Sequence, residues 1–249
     1  MLKKRIIISL TFQDGVLFRT KKFIPDYRYT KNFVDLWNAD EIVLIDVSNK
    51  ENKLNNNFIE VVNFFINNCH LPISVGGGIN SISNAKKVFD LGVERIILNS
   101  VSYYDKNITD EICETYGSSS VIHSLDCKKI KDEYFVYINN GKDRVKKNIL
   151  ECCRFIKNLN VGELLINSID NDGGLMGFDI ELIKLISKNV DLPIIVQGGA
   201  GNWDHFFKVL NLEYVNGACT QNIYHFTEPS LLALKEYLFK RGVAIRYEN

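Results

Sequence analysis

The chain has 249 residues, 46% hydrophobic and 24% charged, and its 30 basic side chains balance its 30 acidic ones. That length supports a large core in one or two domains, and zero net charge argues against a nucleic-acid binder, which carries a basic excess or stripe. The six cysteines (Cys69, Cys113, Cys127, Cys152, Cys153 and Cys219) form no C-x-x-C pair, so they read as reduced thiols of a cytoplasmic protein without a metal site.

The opening "MLKKRIIISLTFQDG" holds an apolar run too short for a signal peptide, and no run reaches the roughly 18 apolar residues of a membrane span. In chain order, strands are expected over Arg5–Thr11, Ile42–Val47, Ile73–Val75, Arg95–Asn99, Val121–Asp126, Glu163–Asn167, Ile194–Gln197 and Tyr214–Ala218. Helical patterns lie between them. "NNFIEVVNFFINNC" puts Ile59, Val62, Phe65 and Ile66 on one side, and "SNAKKVFDLG" stops at Gly92. "DIELIKLISKN" and "PSLLALKEYLFKRG" are amphipathic. Eight strands alternating with helices imply parallel pairing through right-handed crossovers. In about 250 residues this pattern predicts a closed (β/α)8 barrel. An open doubly wound sheet is the alternative, but the first strand is not followed by G-x-G-x-x-G.

The sequence also repeats. "SVGGGI" at 74–79 resembles "VQGGAG" at 196–201, and "IIISLT" at 6–11 parallels "VIHSLD" at 121–126. Two half-barrels of about 1–118 and 119–249 share one pattern. A half-barrel leaves its strand edges open, so the expectation is a single domain over 1–249.

Polar residues gather where the strands end, the face that carries the site in such barrels. Glycine runs there let backbone N–H groups approach an anion. One cradle would use Gly77, Gly78, Asn99 and Ser100; the other would use Asp172, Gly173, Gly198, Gly199 and Asn222. Two cradles in related halves suggest a small substrate with a phosphate at each end. Asp126 lies between them, and alternation groups it with Ile122 and Ser124. A carboxylate there can take or give protons. The equivalent place on the first strand is Thr11, whose hydroxyl is a poor acid or base near neutral pH. At the opposite end, Arg5, Glu41, Arg95 and Glu163 start or precede strands. They are either four solvated residues or a charged plug at the base of the bore, passed by a small polar molecule.

Together these segments resemble the cyclase subunit of imidazole glycerol phosphate synthase over essentially the whole chain. "MLKKRIIISL", "DEIVLIDVS", "PISVGGGI", "ILNS", "SLDCKK", "GELLINSIDNDGG", "LPIIVQGGAG" and "HFTEPSLLALKEYL" fall in that family's order. The resemblance implies a barrel that docks a class I glutaminase on its lower, N-terminal face and needs no cofactor. Ammonia released there crosses the barrel and attacks a bis-phosphorylated aminoimidazole carboxamide ribotide. Arg5, Glu41, Arg95 and Glu163 match the family's charged gate, and Asp126 matches one of two catalytic aspartates. The other falls at Thr11, in "SLTFQDG" where the family reads like C-L-D-V-x-D-G. Asn222 also replaces a small phosphate-contacting residue, and "RTKKFIPDYRYTKNFVD" differs from the usual first loop.

The departures look like a divergent branch linked to acetamidino modification of bacterial surface sugars. There the barrel and its glutaminase would supply ammonia to a separate sugar amidotransferase. The alternative is a working cyclase of histidine biosynthesis, with Asp14 or water replacing the missing acid. A scaffold that only activates the glutaminase is the third reading. No membrane and no nucleic acid enter any of them.

Overall fold

The computed structural model of the protein describes residues 3–29, 38–48, 54–221 and 230–247. Its strands in chain order are β1 (Arg5–Gln13), β2 (Val16–Lys21), β3 (Ile24–Tyr29), β4 (Glu41–Asp46), β5 (Ile73–Gly76), β6 (Arg95–Leu98), β7 (Val121–Ile130), β8 (Glu133–Ile138), β9 (Asp143–Asn148), β10 (Glu163–Ser168), β11 (Ile194–Gln197) and β12 (Val215–Thr220). The helices are α1 (Asn56–Asn68), α2 (Ile82–Phe89), α3 (Ser100–Tyr104), α4 (Lys106–Tyr116), α5 (Ile149–Lys157), α6 (Ile180–Ser187), α7 (Trp203–Leu210) and α8 (Ser230–Lys240).

Parallel pairing runs β10-β11-β12-β1-β4-β5-β6-β7, and β7 pairs back to β10. The sheet therefore closes into a (β/α)8 barrel, and an open doubly wound sheet is excluded. Each expected strand matches one barrel strand to within a few residues. The four remaining strands form two antiparallel hairpins, β2–β3 after β1 and β8–β9 after β7. Their turns sit at paired left-handed residues. Asp14 and Gly15 (φ 50° and 76°) turn β1 into β2, and Lys22 and Phe23 (φ 51° and 64°) turn β2 into β3. Asn139, Asn140 and Gly141 do the same between β8 and β9.

The outward strand faces and the helices make the larger core. On α1 the buried stripe is Phe58, Val61, Val62 and Phe65, rotated from the expected one; Ile59 and Ile66 are half-buried at its margin. Phe12 of β1 meets Phe58 and Phe65 at ring-centre distances of 5.9 and 6.2 Å. Asn55, Ser81, Asn148, Asp179 and Asn202 cap α1, α2, α5, α6 and α7 with side-chain oxygens. Each such cap is worth about 1 kcal/mol.

Inside the barrel, strand alternation stacks residues in layers. Ile7, Val43, Ile97, Ile122, Leu165, Ile195 and Cys219 form a separate buried cluster at mid-height. Below it stand Arg5, Glu41, Arg95 and Glu163. Above it come Ser9, Gly76, Ser124 and Gln197, then Asn99 and Asn167, then Thr11 and Asp126. Strand registers such as Ser124↔Leu165 and Asn167↔Gln197 fix that order.

Candidate active site

The lower ring is closed by ion pairs. Arg5 Nη1 bonds Glu41 Oε1 at 3.0 Å, and Arg95 bonds Glu163 Oε2 at 2.8 Å and Glu41 Oε2 at 2.5 Å. Arg5 Nη2 completes the circuit on Glu163 Oε1. The four side chains are only 9–16% exposed, so these are not four solvated strand starts. Burial pulls the Arg5 guanidinium down, but its hydrogen bond to Glu163 and the charges of Glu163 and Glu41 outweigh it and hold the group above its ordinary value. Gly217 makes room: a Cβ there would lie 2.9 Å from Ile7 Cδ1 and 3.5 Å from Arg5 Cβ.

Above the ring the aliphatic cluster fills the middle of the barrel, and over it the rim holds a cavity of about 370 Å³ whose floor includes Ile97 and Leu165. Thr11, Gly77, Gly78, Asn99, Ser100, Asp126 and Asp172 all line it. Thr11 and Asp126 come from diametrically opposed strands, β1 and β7. Asp126 is buried. Its Oδ1 accepts from Ser124 Oγ at 2.9 Å and its Oδ2 from Asn99 Nδ2 at 2.8 Å. Burial pushes its carboxyl up to about 6, against the opposing hydrogen bonds of Ser124, Asn167 and Asn99 and with help from the charge of Asp172. A group poised there exchanges protons readily near neutral pH.

The glycine turns sit as two equivalent devices. Gly77 (φ 103°) follows β5 and Gly198 (φ 94°) follows β11. A Cβ on Gly77 would fall 2.3 Å from Asp46 O, and one on Gly198 2.6 Å from Ser168 O. Both turns therefore require glycine. Asp172, Gly173, Gly198 and Gly199 line a second cavity of about 30 Å³ with Ala200 and Thr220. Asn222 lies outside the described residues.

The hairpins change the roles of several rim residues. Asp172 Oδ2 accepts the Phe23 N–H at 3.0 Å, and its carbonyl accepts the Lys22 N–H at 3.1 Å. A Cβ on Gly173 would meet Thr20 O at 2.3 Å. This segment thus seats the first hairpin as well as facing the cavity. Ser100 Oγ accepts the Asn139 N–H at 3.0 Å, which ties the second hairpin to the other cradle. Asp14 points elsewhere: it is in the β1–β2 turn, where Asn55 Nδ2 donates to its Oδ1 at 3.3 Å, and it does not line the cavity. It is therefore not placed to replace an acid at position 11. The cavity also includes Phe23, Tyr104, Asn139 and Gln197, which strand tips alone do not single out. The signal for Phe23 and Asn139 is the hairpin turn chemistry of "TKKF" and "YINNGK".

Among the described residues no group of histidine, cysteine, aspartate and glutamate side chains could hold a metal, and no helix is long and apolar enough to cross a membrane. The fold and rim define a (β/α)8 barrel with a buried carboxyl between paired glycine turns. The family described as "Histidine biosynthesis protein" matches residues 9–229. The imidazole glycerol phosphate synthase subunit HisF of Chlorobium phaeobacteroides (strain BS1) is 32% identical over 252 residues, covering 99% of this chain and 100% of that protein. The same subunit from Hydrogenobaculum sp. (strain Y04AAS1) is 33% identical over 252 residues, with the same coverage. The chain belongs to this histidine-biosynthesis family, as a member of its HisF branch.

Proposed function

We propose that the chain is the ammonia-accepting, cyclase-type barrel of a glutamine amidotransferase complex. A class I glutaminase would dock on the lower face, and a small phosphorylated substrate would bind at the rim. The closed ring of Arg5, Glu41, Arg95 and Glu163 beneath an aliphatic bore carries this reading. Such a ring excludes ions and bulk water, while neutral ammonia can pass when one pair opens. Apolar walls do not bind ammonia strongly and so do not hold it back.

At the rim the chemistry is addition of ammonia to an electrophilic carbon. The nitrogen lone pair forms the new bond, and the adduct must then lose a proton. Asp126, with a carboxyl near 6, is largely ionised at neutral pH and accepts it. Asn99 and Ser124 aim its two oxygens. Gly77, Gly78, Gly198 and Gly199 offer backbone to the phosphates.

The full-length likeness to HisF relatives favours the ring-closing reaction of imidazole glycerol phosphate synthase in histidine biosynthesis. A specific observation favours a second acceptor. Thr11 stands where a two-carboxylate mechanism needs an ionisable group, and two other carboxylates that line the cavity, Asp46 and Asp172, are tied to Ser48 and Phe23. That loss suits a barrel supplying ammonia for acetamidino formation on a surface sugar. The test gives the chain ammonium salt and bis-phosphorylated aminoimidazole carboxamide ribotide, with and without a glutaminase partner. Family-like turnover supports the first acceptor. Intact glutaminase coupling without ring closure supports the second. No coupling and no turnover would refute both.

A further inference from the structure

Among the described residues that line the main cavity there is no lysine or arginine, while Asp46, Asp105, Asp126 and Asp172 all reach it. A phosphate held there depends on neutral donors alone, so each N–H and hydroxyl counts. The backbone of Gly77 and Gly78 supplies one side. The other side is α3, where Ser100 and Tyr104 are four residues apart, one above the other on the same helix face. Both line the cavity. The Tyr104 side chain is 60% exposed, so burial in the core does not account for an aromatic residue at this place.

Asn139, in the β8–β9 turn, holds both hydroxyls. Its N–H donates to Ser100 Oγ at 3.0 Å. Its Nδ2 donates to Tyr104 Oη at 2.5 Å and to Asp143 Oδ2 at 2.6 Å. A carboxylate only accepts, so the group that faces Asp143 is the NH2 and not the carbonyl oxygen. An amide nitrogen accepts nothing, so Tyr104 Oη is the acceptor in its bond with Asn139. The hydroxyl hydrogen of Tyr104 must then point elsewhere, and it meets no acceptor among the described residues. The Ser100 hydrogen meets only Asn99 Oδ1, at a long 3.5 Å. Asn139 thus engages an oxygen lone pair on each hydroxyl and leaves both hydrogens for a guest that accepts. A phosphate is such a guest.

We infer that Tyr104 is a ligand-binding residue of the Gly77–Gly78 cradle, donating its hydroxyl to a phosphate bound there, and that Asn139 is the positioning residue that aims it. The inference rests on the proposed binding of a phosphorylated substrate at the rim and adds a specificity-determining side chain to that site. The ring walls the outer side of the cradle, and the hydroxyl, with Ser100, replaces the cation that this cavity lacks. A neutral, oriented pair of hydroxyls selects an acceptor-only group such as phosphate over an amine or an ammonium group.

The probe is inorganic phosphate at neutral pH, titrated into the isotope-labelled full chain while the backbone amides of the glycine turns are followed by NMR. Sodium chloride at the same ionic strength is the control. A saturable shift of Gly77 and Gly78 specific to phosphate is expected. Tyr104→Phe keeps the exposed ring and removes only the hydroxyl, so its thermal melt should match that of wild type. It should weaken the titration at Gly77 and Gly78 about tenfold, the worth of one hydrogen bond to a charged acceptor, and leave any titration at Gly198 and Gly199 unchanged. Asn139→Gly keeps the left-handed turn (φ 54°) and the backbone N–H but removes the amide that aims the hydroxyl. It should weaken the same titration about threefold. Equal titrations at Gly77 and Gly78 in wild type and Tyr104→Phe, an equal loss at both glycine turns, or a shift matched by sodium chloride would overturn the role of Tyr104 and leave the phosphorylated-substrate reading standing wherever wild type still binds phosphate. If phosphate moves neither glycine turn in wild type, that reading falls with it.

Discussion

Asp126→Asn should make the fold more stable at alkaline pH while abolishing proton transfer. Burial holds the carboxyl at about 6 against an ordinary 3.8. At about 1.4 kcal/mol per tenfold change in proton affinity, the ionised form costs the native state about 3 kcal/mol. A folded value above the unfolded one means that the group's contribution is most favourable in acid and is lost as pH rises from about 4 through 6. Asparagine never ionises and escapes this loss. It also brings an NH2 against donors from Asn99 and Ser124, and turning those side chains forfeits about 1 kcal/mol. The net gain at pH 8 is therefore about 1–2 kcal/mol, and it should disappear by about pH 4. Urea unfolding of both proteins across that range measures it. A variant less stable than wild type at alkaline pH, or a difference that does not change with pH, would refute the burial argument.

Arg5→Met leaves Glu41 and Glu163 with Arg95 as their shared cation in the ring. It should cost about 2–4 kcal/mol in urea unfolding. Glutamine-derived ammonia should then escape to solvent, read as free ammonium during glutaminase turnover. Gly198→Ala, with a Cβ against Ser168 O at 2.6 Å and φ of 94°, should lose about 2–4 kcal/mol and weaken inorganic phosphate binding by calorimetry. Thr11→Asp adds a carboxylate across the cavity from Asp126. Ring-closing turnover should rise by about 10²- to 10⁴-fold if the missing acid is what limits it, and no rise would mean that the rest of the cavity has diverged as well.

The barrel strands were legible because each is a short β-branched run followed by a polar or glycine tip, and closure follows from their number and alternation. The hairpins were not legible from that pattern. β7 stays buried through Cys127 and continues through Lys128–Ile130, where Lys128 and Lys129 are exposed and charged, so the run looks finished at Asp126. The Asp14–Gly15 pair was a turn signal, but beside Thr11 it read as part of a site. Alternation grouped Asp126 with Ile122 and Ser124 on one strand face and left the charged strand starts open between solvated residues and a plug. It could not show that Asp172 and Ser100 also anchor hairpins, because those contacts join residues up to 149 positions apart.

The two halves agree along the strand path and at the glycine turns, and differ at several positions whose side chains face inward. Glu41 and Glu163 are equivalent under the repeat, with register partners Ile7 and Ile122 on the preceding strands. The arginines have no such equivalents. Gly217 stands at the counterpart of Arg95, and Ser120 at that of Arg5. Full symmetry would place four guanidinium groups against two carboxylates, an excess of two buried charges. Replacing two of the four with glycine and serine leaves a neutral ring that can close. The rim follows the same logic. Asn167 faces the cavity where the other half has Ile45, Gln197 where it has Gly76, and Asp126 where it has Thr11. A ligand with a phosphate at each end could bind a symmetric barrel either way round. Asp126 against Thr11, and Asn167 and Gln197 against Ile45 and Gly76, would make the two orientations of such a ligand unequal. Broken symmetry at the inward positions thus converts a duplicated scaffold into a site with a direction.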